Sequence, residues 1–170
     1  KNVAPDAALE QARRVVQRCR ELGIISIIND DWRLAALVDA DGVHVGRDDG
    51  SLTDARLAIG PDRILGCSCY NDPALAEQAL QADVDYIAFG ALFPSGIKPE
   101  AVRALPEHLQ QGRRLAESAG PGPRPAVVAI GGITPDNAAQ AIAAGADSVA
   151  IISGVFLAAD IEQAARRCAA

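Results

Sequence analysis

Gln78-Ala79-Leu80-Gln81-Ala82-Asp83-Val84-Asp85-Tyr86-Ile87-Ala88-Phe89 and Gln140-Ala141-Ile142-Ala143-Ala144-Gly145-Ala146-Asp147-Ser148-Val149-Ala150-Ile151 follow one plan at equal spacing. Each reads as the end of a helix, a short join that closes on aspartate, and an apolar strand. A third join, Ala40-Asp41-Gly42-Val43, again sets aspartate two residues before a β-branched residue. The repeated object is a helix-then-strand unit, without the fixed consensus of a solenoid.

Apolar runs of strand length lie at 24–28, 42–45, 64–67, 86–89, 126–130 and 148–152. They are continuous rather than alternating, as expected of parallel strands buried on both faces. Asp72-Pro73 and Thr134-Pro135 each place a capping side chain before a proline at the first helical position. Ser51-Leu52-Thr53-Asp54 resembles a capping box. Alternating βα units imply a mainly parallel sheet, open or closed. Polar residues follow every visible run: Asn29-Asp30-Asp31, Asp48-Asp49, Ser68, 95–98, Gly131-Gly132 and Ser153. A doubly wound sheet concentrates its site at one switch point, whereas a barrel collects it from many βα loops. The expected fold is therefore a TIM (β/α)8 barrel.

Six runs are visible where closure needs eight, so residues 1–170 read as a single, N-terminally incomplete barrel domain lacking its first two strands. The long step between the runs at 86 and 126 holds two irregular stretches. Phe93-Pro94-Ser95-Gly96-Ile97-Lys98-Pro99 follows a strand and reads as an active-site loop, while 120–125 precedes one and reads as a connector.

The chain is 49% hydrophobic and 22% charged, with a net charge of −6 and no basic block, which argues against a nucleic-acid partner. No apolar run approaches the roughly 18 residues of a membrane span. Cys19, Cys67, Cys69 and Cys168 read as reduced core thiols of a cytoplasmic protein. A zinc site is rejected because neither His44 nor His108 has useful ligand spacing.

Asn29-Asp30-Asp31 could cap the helix beginning at Trp32, and Arg47-Asp48-Asp49-Gly50 could be a turn before Ser51. Taken together, they put carboxylates at the ends of two consecutive strands. That is an all-oxygen arrangement suited to Mg²⁺, which takes one or two protein carboxylates beside substrate phosphates. Gly131-Gly132-Ile133 and Ile152-Ser153-Gly154, after the last two strands, suit a phosphate held by backbone N–H groups. Lys98 is either a solvated loop lysine or a ligand for a second phosphate. Ser68 could donate to a phosphate or heterocycle, or bond the backbone. His44 reads as a packing residue, and Trp32 as packing a helix against the barrel wall.

These motifs resemble the thiamine-phosphate synthase family over nearly the whole chain. The strongest marks are Ile27-Ile28-Asn29-Asp30-Asp31-Trp32-Arg33-Leu34-Ala35 and Ala40-Asp41-Gly42-Val43-His44-Val45-Gly46-Arg47-Asp48-Asp49. Gly66-Cys67-Ser68, Phe89-Gly90-Ala91-Leu92-Phe93-Pro94-Ser95, Ala129-Ile130-Gly131-Gly132-Ile133 and Ile151-Ile152-Ser153 support them. The resemblance implies an enzyme that joins 4-amino-5-hydroxymethyl-2-methylpyrimidine diphosphate to thiazole phosphate, releasing diphosphate. It implies Mg²⁺ on Asp30 and Asp49, the pyrimidine substrate on Asn29 and Ser68, and its diphosphate on Lys98. It further implies thiazole phosphate on Ser95, Gly132, Ile152 and Ser153. Lys98 and Ser68 would take part in catalysis, and Lys1 falls where the family's Gln-x-Arg-x-Lys segment places its diphosphate-binding lysine. Ile97 stands where the family usually carries a hydroxyl, and Tyr70 where histidine is common. A thiazole tautomerase of the same superfamily and a non-catalytic binding barrel are the competing readings. The paired aspartates argue against the first, and Ile97 is the support for the second.

Overall fold

The computed structural model describes residues 4–94 and 100–169. Six strands lie in sequence order: β1 (Ile27–Asn29), β2 (Gly42–Val45), β3 (Ile64–Tyr70), β4 (Tyr86–Phe89), β5 (Ala126–Ile130) and β6 (Ser148–Ala150). Eight helices accompany them among the described residues: α1 (Pro5–Leu22), α2 (Trp32–Leu37), α3 (Leu52–Ile59), α4 (Pro73–Gln81), α5 (Pro106–Glu117), α6 (Ala138–Ala143), α7 (Ser153–Phe156) and α8 (Ile161–Ala169). This is an α/β fold of parallel strands in TIM-like βα units. The expectation of an eight-stranded barrel is met only at that coarser level, with six strands among the described residues.

The chain divides into two compact units, 1–67 with 82–84, and 68–81 with 85–170. In the first, β1 pairs with β2 and β2 with β3, all parallel, with Asn29 opposite His44 and His44 opposite Gly66. Its core is Val16 of α1, Ala35 of α2, Val43 and Val45 of β2, Ala55 and Ile59 of α3, and Leu65 of β3. In the second, β4 pairs with β5 and β5 with β6, again parallel. Ile87, Phe89, Leu109 and Val127 are fully buried there, each side chain contributing about 1.5–3 kcal/mol. Phe89 lies against Gly112 of α5, where a Cβ would overlap its ring.

The recurring aspartate has a physical reason. Asp41 Oδ2 accepts the Ser26 N–H at 2.8 Å and the Ser26 hydroxyl at 2.7 Å, which lowers its pKa. Asp147 Oδ2 likewise accepts the Val127 N–H at 2.8 Å. The carbonyls of Asp41 and Asp85 accept the Ile64 and Ala126 N–H groups, both at 2.9 Å. Each join therefore satisfies backbone groups at the start of a neighbouring strand, where the ladder has not yet begun. Two residues earlier, Asp39, Asp83 and Gly145 have φ of 57°, 56° and 112°, so each helix turns into its join through the left-handed region.

Asp147 also accepts a two-pronged hydrogen bond from Arg124, at 2.6 and 2.8 Å, and one from Arg113 at 3.1 Å. Arg124 beside it holds its pKa at about 2, below the usual 3.8. A depressed carboxylate pKa stabilises the fold above about pH 4, and that contribution is lost as pH falls from about 4 to about 2. After allowance for solvent screening, Asp147→Asn should cost about 1 kcal/mol at pH 7 and flatten the acid limb. Urea unfolding between pH 2 and 7 checks this, and equal acid slopes in both proteins would refute it.

Several element boundaries differ from expectation. The run at 24–28 becomes strand only from Ile27, because Ile24 and Ile25 are 55% and 63% exposed and Ser26 is engaged by Asp41. β3 extends three residues beyond its apolar run to Tyr70, whereas β6 ends at Ala150, before Ile152. Thr134-Pro135 does not open the helix directly. Its turn is closed by the Asn137 side chain, whose Oδ1 accepts the Thr134 N–H at 2.8 Å, and α6 starts at Ala138. Ser51 caps α3 through the Asp54 N–H, and Pro73 opens α4, both as expected. None of the four cysteines is in a disulfide, and Cys67 and Cys69 are buried on one face of β3.

Candidate functional site

The first unit gathers the candidate metal residues at the ends of β1 and β2. Pairing of these strands continues one step past Asn29, where the Asp30 N–H donates to the His44 carbonyl at 2.8 Å. Asp30 has a φ of 71°, a conformation aspartate tolerates better than most side chains. The chain then turns, and Asp31 caps α2 by accepting the Leu34 N–H at 2.9 Å. The capping role therefore falls to Asp31, and Asp30 is placed for something else.

After β2, the Gly46 N–H donates to Asp49 Oδ2 at 2.8 Å, closing the Asp48-Asp49 turn on itself. Burial pushes the His44 imidazole down in pKa, while the carboxylates of Asp30 and Asp49 both pull it up. Both acids therefore act on the same imidazole. Asn29 Nδ2 donates to Asp30 Oδ1 at 2.6 Å. Among the described residues, no group of three or more His, Cys, Asp or Glu side chains could hold a metal by itself. The local chemistry is a pair of hard oxygen donors that would need further oxygens from a ligand, the pattern by which Mg²⁺ binds phosphorylated substrates.

The second unit holds a cavity of about 440 Å³. Strand parity builds its wall. Ser68 and Tyr70 share one face of β3 while Cys67 and Cys69 take the other, and Ala88 of β4 and Gly90 just after it add to the same wall. Gly131 and Gly132, with φ of 90° and 68°, follow β5, and Ile152 and Ser153 follow β6. Phe93 and Pro94 lie so close to Gly132 that a Cβ would come within 2.5 Å of their carbonyl oxygens. The Leu92 and Phe93 N–H groups donate to the Ile130 and Gly131 carbonyls at 3.0 Å, which holds that approach. Ala91 then pairs in both directions with Val102 and Ala104, and Arg103 donates to the Leu92 carbonyl at 2.8 Å.

Ser68, Gly132, Ile152 and Ser153 are thus brought to one cavity. Asn29, Asp30 and Asp49 belong to the other unit, at the β1 and β2 ends. Lys1, Ser95 and Lys98 lie outside the described residues, as does Ile97. Glu100, Val102, Ala88 and Ile130 line the cavity without having been singled out from sequence. Parity from Ser68 could have found Tyr70, and the Gly90 turn could have pointed to Ala88. Nothing local marks Glu100, the only charged side chain among the described lining residues. Neither histidine lines the cavity: His44 belongs to β2 in the first unit, and His108 Nδ1 accepts the Leu105 N–H at 2.9 Å at the start of α5.

The sequence profile described as "Thiamine monophosphate synthase" matches residues 1–155. The chain belongs to this family. It is 53% identical over 160 residues to the "Thiamine-phosphate synthase" of Bordetella pertussis, covering 94% of this chain and 73% of that protein. The protein of the same name from Methylobacillus flagellatus is 50% identical over 167 residues, covering 98% and 76%. A solved structure titled "Thiamine phosphate pyrophosphorylase" from Pyrococcus furiosus superposes with a TM-score of 0.83 at 32% identity, covering 99% of this chain and 77% of that one. An orotidine 5'-phosphate decarboxylase from Pyrococcus horikoshii, at 18% identity and a TM-score of 0.64, shares the fold alone. No helix among the described residues is long and apolar enough to cross a membrane.

Proposed function

We propose that this chain couples 4-amino-5-hydroxymethyl-2-methylpyrimidine diphosphate to thiazole phosphate, forming thiamine phosphate and diphosphate. Family membership and the relatives at about half identity make it a thiamine-phosphate synthase, a transferase of thiamine biosynthesis. The observation that supports the finer reading is the cavity of the second unit, lined by Ser68, Gly132, Ile152 and Ser153.

The cavity suits thiazole phosphate. Ala88, Ile130, Ile133 and Ala150 offer an apolar wall to the ring, while the backbone of Gly132, Ile152 and Ser153 and the Ser153 hydroxyl serve the phosphate. Ser68 would hold the pyrimidine with Asn29. Asp30 and Asp49 would hold Mg²⁺, which supplies neutralising charge for the departing diphosphate. Lys98, with Lys1, would add positive charge to the same group, and Ser95 would contact the thiazole phosphate. In the reaction the methylene–oxygen bond to diphosphate breaks and the thiazole nitrogen lone pair forms the new C–N bond, with no net proton transfer. The electron-rich aminopyrimidine supports positive charge on the methylene. Alignment of the substrates and stabilisation of the leaving group supply most of the rate, so no general base is required.

We further propose a single catalytic domain acting on small phosphorylated substrates in the cytoplasm, consistent with four cysteines outside any disulfide. Incubation with both substrates and Mg²⁺ tests the reading. Thiamine phosphate and diphosphate should appear in equal amounts. Binding of thiazole phosphate without coupling would instead identify a binding barrel, and isomerisation of a thiazole without coupling a tautomerase.

A further inference from the structure

Trp32, the only tryptophan in the chain, is the first residue of α2 and follows Asp30 by two positions. Its indole Nε1 is buried and has no hydrogen-bond partner among the described residues. A Cβ on Gly50 would lie 3.3 Å from that nitrogen, so the ring edge rests on the backbone of the turn carrying Asp49. Gly50 has a φ of 107°, and its lack of a side chain lets the turn approach the indole. The guanidinium carbon of Arg33 stands 3.9 Å from the centre of the ring and covers one face. A buried donor without an acceptor costs stability, so the N–H does not explain the residue. Its size and rigidity do, because the ring belongs to the first residue of α2, just after the Asp30 turn, and its edge meets the Gly50 backbone after β2.

We propose that Trp32 is a positioning residue that props the Asp49 turn against the Asp30 turn and so keeps the two carboxylates at a spacing a divalent cation can bridge. This rests on the metal role given to Asp30 and Asp49 above. Two carboxylates brought together repel each other, and the Gly46–Asp49 hydrogen bond holds only the turn's own shape. A rigid spacer between the turns limits their drift, as supporting contacts around metal ligands generally do.

The test is direct Mn²⁺ binding, followed by the electron paramagnetic resonance signal of free Mn²⁺, on wild type, Trp32→Ala, Trp32→Phe and Asp49→Asn. Trp32→Ala should weaken binding about tenfold, within the range for second-layer residues. Trp32→Phe keeps a ring, removes the unpartnered N–H, and should bind within about twofold of wild type. In wild type, the single tryptophan should change its fluorescence on Mn²⁺ addition, and Asp49→Asn should abolish that change. Trp32→Ala that retains wild-type Mn²⁺ affinity would overturn the proposal, even if its melting temperature falls. Trp32→Phe as weak as Trp32→Ala would overturn it too, since the ring would not be the active feature. Asp49→Asn that binds Mn²⁺ like wild type would overturn the metal assignment itself, a result distinct from failure of the strut.

Discussion

Asp49→Asn is expected to lower kcat/KM about 100- to 1000-fold while leaving the fold intact, because it removes one of two charges proposed to hold the metal. The amide oxygen can still accept the Gly46 N–H, so the turn after β2 keeps its closing hydrogen bond. Asp30→Asn is the companion variant. Asparagine tolerates the φ of 71° at this position at least as well as aspartate, so backbone strain does not enter. Both variants should also require more Mg²⁺ for half-maximal turnover. Steady-state rates over a Mg²⁺ series, with thermal melts alongside, check the expectation. Undiminished turnover in either variant would remove that residue from the proposed metal pair.

The second large effect is expected at Gly132. Its φ of 68° disfavours any side chain, and a Cβ would stand 2.5 Å from the carbonyl oxygens of Phe93 and Pro94. Neither contact can be relieved by rotating a side chain, because both partners are backbone. Gly132→Ala should therefore push the turn after β5 away from the 93–94 segment, at a cost of about 2 kcal/mol. The same displacement distorts the proposed phosphate cradle, so KM for thiazole phosphate should rise about tenfold or more. Gly122→Ala is the control, since nothing lies within 4 Å of its added Cβ. Melting temperatures and titration with thiazole phosphate distinguish the two. A Gly132→Ala protein with wild-type melting and affinity would refute the account of a backbone-built cradle.

Much of the candidate site was legible because its residues sit at strand ends, and strand ends follow from hydrophobic runs. Asp30 and Asp49 are each the first or second acid after an apolar run, and the charge of both acts on His44. Ser68, Gly132, Ile152 and Ser153 could be assigned to one face for the same reason, and the cavity collects them. Boundaries were less legible. Ser26 is polar yet buried because Asp41, fifteen residues later, takes both its N–H and its hydroxyl. Asn137 delays α6 past Thr134-Pro135 through a side-chain bond that a local capping rule does not anticipate. Glu100 reaches the cavity wall beside Val102, which pairs with Ala91, a contact between segments remote from either strand pattern.

The order of apolar runs and aspartate joins by itself determined the parallel βα architecture and the loops that carry polar groups. Periodicity and turn chemistry act over a few residues, and the chain spells them out locally. The tertiary structure settled which of the three consecutive polar residues at 29–31 caps a helix and which takes the left-handed turn, since that depends on where the backbone goes after β1. It also decided that Trp32 rests on Gly50 and that Gly132 lies against Phe93 and Pro94. These are contacts between loops on neighbouring strand ends. Their closeness comes from strand register and left-handed backbone turns, which no local pattern of side chains specifies.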